Sequence, residues 1–253
     1  MIAKSSKPLI LVSNDDGIYS EGIRVLADKL KVLGRVIVVA PDQERSAASH
    51  SLTLHRPLRV KKIGNDMYAV DGTPTDCITI GVKEILPRRP DVIVSGINKG
   101  ANLGDDVHYS GTVSAALEGA IMGIQGIALS LMTHEKNGFD GAAQFAVLLT
   151  RKVLKEGLPK GVILNVNFPP GSSKKIKGYQ FTKQGKRNYG DIIAERIDPR
   201  GRKYYWIGGD QEGFENISGS DCNAILENYI SITPIRVNLT DHLFLEEVKK
   251  WKL

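Results

Sequence analysis

Two adjacent carboxylates, Asp15 and Asp16, stand at the end of the apolar run Leu9 to Val12 and are followed by Gly17. Successive side chains on an extended strand point to opposite faces. The pair therefore converges on one point only where the strand ends and the backbone turns, and Gly17 relaxes the backbone at that place. Two carboxylates held together repel unless a cation lies between them or one keeps its proton. A hairpin turn is the plain alternative for Asp-Gly, but the residues after Gly17 do not read as a strand. Ile23, Leu26, Ala27, Leu30 and Leu33 form a helical stripe. The acids thus belong to a strand-to-helix turn, the edge of an open α/β sheet where ligands bind.

Two further strand-following loops supply Ser46, in the polar stretch Gln43 to Ser51, and Asn98, in a Gly/Asn/Asp-rich loop from Gly96 to Asp106. With Asp15 and Asp16 they offer two carboxylates, a hydroxyl and an amide carbonyl. Such an all-oxygen set suits Mg²⁺ or Mn²⁺ and does not favour zinc. Taken singly, Ser46 suits a cap and Asn98 a turn. Cys77 and Cys222 are far apart and lack a CxxC or Cys/His partner; Cys77, on an apolar stripe, reads as a buried thiol. Ser110-Gly111-Thr112 opens a helix, whose first turn presents free N–H groups and a positive dipole end. Gly111 lets an oxyanion approach the backbone, and the two hydroxyls add donors. Plain N-capping by Ser110 or Thr112 is the alternative. A cation beside an anion-binding helix end points to phosphoryl transfer, in which the cation polarises phosphoryl oxygens and activates a water. A bulky residue at Gly111 is expected to block phosphate with little loss of metal binding.

The elements that must position these residues alternate. Strands are expected at Leu9 to Ser13, Val36 to Ala40, Asp91 to Ser95, Ile127 to Leu131 and Val162 to Val166. A small hairpin spans Leu58 to Ile63 and Met67 to Val70. Helices are expected from Ser20 to near Gly34, from Thr73 to Pro87, from Ser110 to Ile124 and from Gly141 to Glu156. Thr73-Pro74-Thr75-Asp76 carries an N-cap, a Pro at N1 and an acid at N3. This rhythm predicts a doubly wound, mostly parallel sheet. It breaks after Pro169-Pro170, which divides a catalytic core, residues 1–170, from a C-terminal elaboration, residues 171–253.

Within the elaboration, Gly178 to Gly213 reads as a hairpin arm turning at Asp198-Pro199-Arg200-Gly201, a type I turn. A strand at Tyr229 to Thr233 and a final helix from Leu243 to Trp251 come after it. The arm carries Tyr189, Ile192, Ile193, Ile197, Tyr204, Tyr205, Trp206 and Ile207. A lone two-stranded hairpin is marginal in water, so the arm either folds back on its own sheet or packs on another subunit.

Of the chain's 253 residues, 42% are apolar and 25% charged, with a net charge of +6. The mild basicity agrees with an anionic substrate and equally with nucleic acid. A non-catalytic nucleic-acid-binding protein is therefore the alternative, but it needs a clustered Lys/Arg face with stacking aromatics. The lysines are instead dispersed in pairs such as Lys61-Lys62 and Lys249-Lys250. No G-x-G-x-x-G follows the first strand and no P-loop pattern occurs, which argues against a dinucleotide oxidoreductase and an ATPase. The N-terminal residues do not resemble a signal peptide, and no apolar run approaches a membrane span. A cytoplasmic protein is expected.

Six motifs occur in order: Ser13-Asn14-Asp15-Asp16-Gly17, Ala40-Pro41-Asp42, Arg45-Ser46, Asp71-Gly72-Thr73-Pro74-Thr75-Asp76-Cys77, Ser95-Gly96-Ile97-Asn98 and Tyr109-Ser110-Gly111-Thr112-Val113. Together they resemble the SurE survival proteins, metal-dependent 5′-nucleotidases. The likeness is dense from Leu9 to Leu131, and Ser231-Ile232-Thr233-Pro234 resembles the family's late strand. The resemblance implies a Rossmann-like core with a β-hairpin arm and a final helix. It implies one divalent cation per subunit, Mg²⁺ or Mn²⁺, at Asp15, Asp16, Ser46 and Asn98. It places Asn14, Ser110, Gly111 and Thr112 on the phosphate side, with Asn14, Asp15 and Asp16 catalytic. Asn102 and Asp106 match the family's active-site loop. Lys99 and His108 stand where residue type varies, and a general-acid role is considered for His108. Ala47 stands where the family often has Gly. The implied substrate is a nucleoside 5′-monophosphate, with side activity on 3′-nucleotides and polyphosphate. The implied assembly is a homodimer or tetramer formed through the arm, without a specific nucleic acid or membrane partner.

Overall fold

The computed structural model describes residues 7–133, 138–171, 175–188, 193–207 and 213–252. Its strands are β1 (Leu9–Ser13), β2 (Arg35–Pro41), β3 (Val60–Gly64), β4 (Met67–Val70), β5 (Val92–Lys99), β6 (Gln125–Leu131), β7 (Val162–Phe168), β8 (Tyr179–Phe181), β9 (Ile193–Ile197), β10 (Lys203–Ile207) and β11 (Ile230–Arg236). All but β9 and β10 form one sheet, in the order β3-β4-β2-β1-β5-β6-β7-β11-β8. From β4 to β7 the neighbours are parallel; β3 and β11 pair antiparallel to β4 and β7.

The central strands are apolar throughout because both faces are covered. Ile10 and Val12 of β1 join the core beneath α1 (Glu21–Leu30) and α4 (Phe139–Glu156), whereas Leu9 and Leu11 join the core on the opposite side. Val36, Val38 and Ala40 of β2 alternate with Ile37 and Val39 in the same way. The opposite face carries α2 (Pro74–Ile80) and α3 (Gly111–Ile121). Two-sided cover of a parallel sheet is the doubly wound arrangement expected from the alternation.

Helix α2 starts on the expected signal. The Asp76 N–H donates to the Thr73 hydroxyl at 3.1 Å and the Thr73 N–H to the Asp76 carboxylate at 2.8 Å, a reciprocal capping box. A π-turn, Gly81–Ile85, extends the helix. Strand β5 runs to Lys99, four residues past the expected end at Ser95. Its register on β6 shifts between Ser95 and Asn98, and pairing then resumes with Asn98 opposite Ser130. Gly96 sits at that shift with φ 132°, and a Cβ there would stand 2.4 Å from the Leu129 carbonyl oxygen. The bulge carries Asn98 on a strand end rather than in a free loop.

Beyond residue 170, β11 returns antiparallel to β7 and is longer than expected. Its Pro234 lies past the last pairing with β8, at Ile232 opposite Phe181, where the sheet edge tolerates a missing N–H. The three-residue β8 is too short to register as a period. β9 and β10 form the arm, turning at Asp198 to Gly201. The Asp198 carboxylate accepts the N–H groups of Arg200 and Arg202 at 2.8 and 2.9 Å, and Gly201 takes φ 78°. Ile193, Ile197, Tyr205 and Trp206 are 57% to 66% exposed, so the described arm does not lie on its own sheet. Tyr189 and Ile192, and the side chain of Ile207, lie outside the described residues. Helix α5 (Asp221–Leu226) packs on β11, and α6 (His242–Val248), capped by Asp241, buries none of its residues. No described helix is long and apolar enough to cross a membrane.

Candidate metal and phosphate site

Where β1 ends, the Asn14 amide closes the turn. It donates to the Gly17 carbonyl at 3.0 Å and to the Ser20 hydroxyl at 2.8 Å. The turn presses on the loop that carries Ser46: a Cβ on Gly17, at φ 92°, would stand 3.0 Å from the Gln43 carbonyl carbon. The Arg45 N–H donates to the Asp15 carbonyl at 2.7 Å and the Ile18 N–H to that of Pro41 at 2.8 Å. The first two loops are therefore tied through backbone.

Asp15 is buried, and its carboxylate accepts the Thr112 hydroxyl. The N-terminus of α3 is seated directly on it: a Cβ on Gly111 would fall 2.8 Å from the Asp15 Cβ and 3.0 Å from its Oδ2. Ser110 caps the helix, its hydroxyl accepting the Val113 N–H at 3.1 Å. The structure thus brings Asp15 together with Ser110-Gly111-Thr112. The space above Gly111 is bounded by the acid itself and by Pro74, so a side chain there presses on Asp15 as well as on any anion.

Asp16 is half-buried and accepts the Lys99 N–H at 3.1 Å, which binds the end of β5 to the turn. Asn98 is half-buried beside it and donates its amide to the Gly100 carbonyl at 2.9 Å. Ser46 is exposed and donates to Glu44 Oε1 at 2.7 Å. Asn98 and Ser46 have thus committed a donor, Asp16 accepts one, and all three retain oxygen lone pairs. Burial pushes the Asp15 carboxyl up, against the lowering pull of the Thr112 hydroxyl. Burial, and then the charge of Asp15, pushes Asp16 up to about 6. Glu44 raises both.

Two acids held above their ordinary range fit a bound cation, which would favour their charged forms. The buried Asn14 Oδ1, Ser13 Oγ and Ser95 Oγ have no protein partner, and the two serines are register neighbours at the ends of β1 and β5. The described residues contain no group of three or more His, Cys, Asp and Glu placed for a metal. A cation here would be held by two carboxylates and neutral oxygens, the hard donor set expected for Mg²⁺ or Mn²⁺.

Sequence reasoning missed Glu44. It accepts the Ser46 hydroxyl, and with Asp16, Ser20, Lys99 and Phe139 it lines a cleft of about 250 Å³. Its only signal is a carboxylate two residues before Ser46. Asp221 was missed as well. Its buried carboxylate accepts the N–H groups of Gly104 at 3.1 Å, Gly185 at 2.8 Å and Cys222 at 2.8 Å. It joins three segments that no local pattern relates.

Asn102 and Asp106 are engaged away from the two acids. Asn102 is buried, donates its amide to the Ser130 hydroxyl at 2.7 Å, and its carbonyl accepts the Asn165 and Asn167 amides. Asp106 pairs with Arg187. The His108 carbonyl accepts the Ser49 hydroxyl at 2.8 Å. The His108 side chain lines a larger cavity, about 320 Å³, along α3 and β11, with neither acid of the pair in its walls.

The family model described as Survival protein SurE matches residues 10–191. The chain belongs to the SurE family. It is 52% identical over 243 residues to the 5′-nucleotidase SurE of Pelobacter propionicus, covering 96% of this chain and 98% of that one. With the 5′-nucleotidase SurE of Geobacter sulfurreducens it is 51% identical over 245 residues, covering 96% and 94%. The crystal structure of the SurE protein from Aquifex aeolicus superposes with a TM-score of 0.87 at 45% identity, covering 96% of this chain and 98% of that one. The likeness to SurE proteins therefore continues beyond residue 170 into the elaboration.

Proposed function

We propose that the protein is a metal-dependent 5′-nucleotidase that hydrolyses nucleoside 5′-monophosphates to nucleoside and phosphate. The observation that carries this reading is the seating of the α3 N-terminus on the buried Asp15, next to Asp16. An anion-binding helix end and a carboxylate pair can share one phosphate only if a cation offsets the acids. The names of the SurE relatives support the substrate class.

In this reading Asp15, Asp16, Ser46 and Asn98 hold one Mg²⁺ or Mn²⁺ per subunit. When bound, the cation supplies a Lewis acid for the phosphoryl oxygens. Asn14, Ser110, Gly111 and Thr112 face the phosphate, and Asn14, Asp15 and Asp16 are the catalytic residues. Thr112 also holds the Asp15 carboxylate in place through its hydroxyl. Asn102 and Asp106 fix the shape of the loop they occupy through Ser130 and Arg187. Cleavage of 3′-nucleotides and polyphosphate, and a cytoplasmic location, belong to the same reading. Phosphate release from a panel of nucleoside 5′-monophosphates in Mg²⁺ or Mn²⁺ is expected, with loss on chelation and recovery on adding metal back. An undiminished rate in excess chelator would overturn it.

The core, residues 1–170, carries the chemistry, and the elaboration, residues 171–253, carries assembly. The exposed Ile193, Ile197, Tyr205 and Trp206 give the arm an apolar surface suited to a homodimer or tetramer. Replacing Asn188 to Ile207 by a short Gly-Ser turn should yield a monomer or an aggregate in sedimentation velocity. A deletion variant sedimenting as the parent oligomer would place the interface elsewhere.

A further inference from the structure

We infer that His50 and Glu118 are positioning residues that clasp the Ser46 loop onto α3 and so set the place of the Ser46 hydroxyl for the cation; this rests on the reading of Ser46 as a ligand. Within the loop the Ala48 N–H donates to the Arg45 carbonyl at 3.3 Å and the Ser51 hydroxyl to the Ala48 carbonyl at 2.7 Å. Ala47 and Ser49 both take left-handed backbone, at φ 55° and 52°, a conformation that costs free energy in residues other than glycine. Such a conformation persists only where the surroundings over-determine it.

The ties that fix the loop against its neighbours lie at its two sides. On the acid side, the Arg45 N–H bonds to the Asp15 carbonyl at 2.7 Å. On the far side, the Ser49 N–H and hydroxyl bond to the carbonyls of Tyr109 and His108 at 3.2 and 2.8 Å. His50 completes the set: its Nε2 lies 2.9 Å from Glu118 Oε2. The other Glu118 oxygen accepts the Thr79 hydroxyl at 3.1 Å. One carboxylate thus binds the loop, α2 and α3, and α3 is the helix whose first turn rests on Asp15. Ser46, between these anchors, makes only a bond to the neighbouring Glu44 among those its side chain shows. The His50 and Glu118 side chains are 30% and 12% exposed. The bond's ends lie on the loop and on α3, so losing it frees the loop from that helix.

The test is Mn²⁺ binding to the full-length protein, followed by electron paramagnetic resonance without substrate. His50→Ala and Glu118→Ala should each weaken Mn²⁺ binding about 10-fold, the scale for groups that orient a ligand. Glu118→Gln, which can still meet both Thr79 and His50, should restore most of it. In a Ser46→Ala background, His50→Ala should add nothing further, because the clasp acts through that hydroxyl. Wild-type Mn²⁺ affinity in His50→Ala, or losses from His50→Ala and Ser46→Ala that simply add, would overturn the clasp. Asp16→Asn separates the two levels. Weak Mn²⁺ binding there, with full binding in His50→Ala, overturns the clasp alone. Unchanged Mn²⁺ binding in Asp16→Asn overturns the metal reading and the clasp with it.

Discussion

Asp16→Asn should lower kcat/KM by at least about 100-fold while leaving a folded and more stable metal-free protein, since a cation's hold on developing phosphoryl charge is worth several kcal/mol. Asparagine keeps the shape and can still accept the Lys99 N–H that ties β5 to the turn. What it removes is a charge. Stability should move the other way. In the metal-free fold Asp16 is raised from 3.8 to about 6 by burial and by Asp15. A carboxyl raised on folding favours its protonated form, so its ionisation opposes folding progressively as pH climbs from about 4 through 6. Asp16→Asn should therefore raise the melting temperature in chelator above pH 6 and leave it unchanged near pH 3. The gain is on the order of 1 kcal/mol, since Asp16 is only partly screened from solvent. Full activity of the variant in trace metal would remove Asp16 from the site.

Gly111→Val should abolish both metal and phosphate binding. A Cβ at this position meets the Asp15 Cβ at 2.8 Å, the Asp15 Oδ2 at 3.0 Å and the Pro74 Cγ at 3.1 Å. Asp15 has little room to retreat, since it is buried and bonded to Thr112. Overpacking of this kind costs about 1–3 kcal/mol, and relief requires the helix end and the acid to part. Moving either breaks the approach on which the proposed site depends. Mn²⁺ binding and inhibition by vanadate should fall together, and the melting temperature with them. Intact Mn²⁺ binding with vanadate inhibition lost would show that Pro74 yields instead of Asp15, and would restore the selective effect expected from the sequence.

The parts of the fold legible in the sequence are those written in local periods and caps. β1 and β2 read as strands because their two-sided burial leaves an unbroken apolar run. Thr73 and Ser110 read as helix starts because an N-cap needs only a few consecutive residues. The strand-end position of Asn98 was hidden because a bulge at Gly96 shifts the register without leaving a periodic trace. β8 is shorter than one alternation can reveal. The candidate site divides the same way. The acids and the helix cap are local and were found. The repulsion of Asp15 and Asp16 was legible from their adjacency, whereas the burial that raises Asp16 most, the place of Glu44 and the reach of Glu118 across three elements arise only from packing.

The Asp221 carboxylate has a consequence for synthesis. The loop at Gly104 that it pins is 117 residues nearer the N-terminus. At a translation rate of 5–20 residues per second, roughly 6–23 s separate the making of that loop from the arrival of its anchor. The ends of β1 and β5, with Asp15, Asp16 and Asn98, emerge from the ribosome well before then. A nascent chain can therefore assemble its acids early and fasten Asn102 on Ser130, Asn165 and Asn167, yet Gly104 waits for the Asp221 carboxylate. A segment made late thus adds the final tie to a loop made before the middle of the chain.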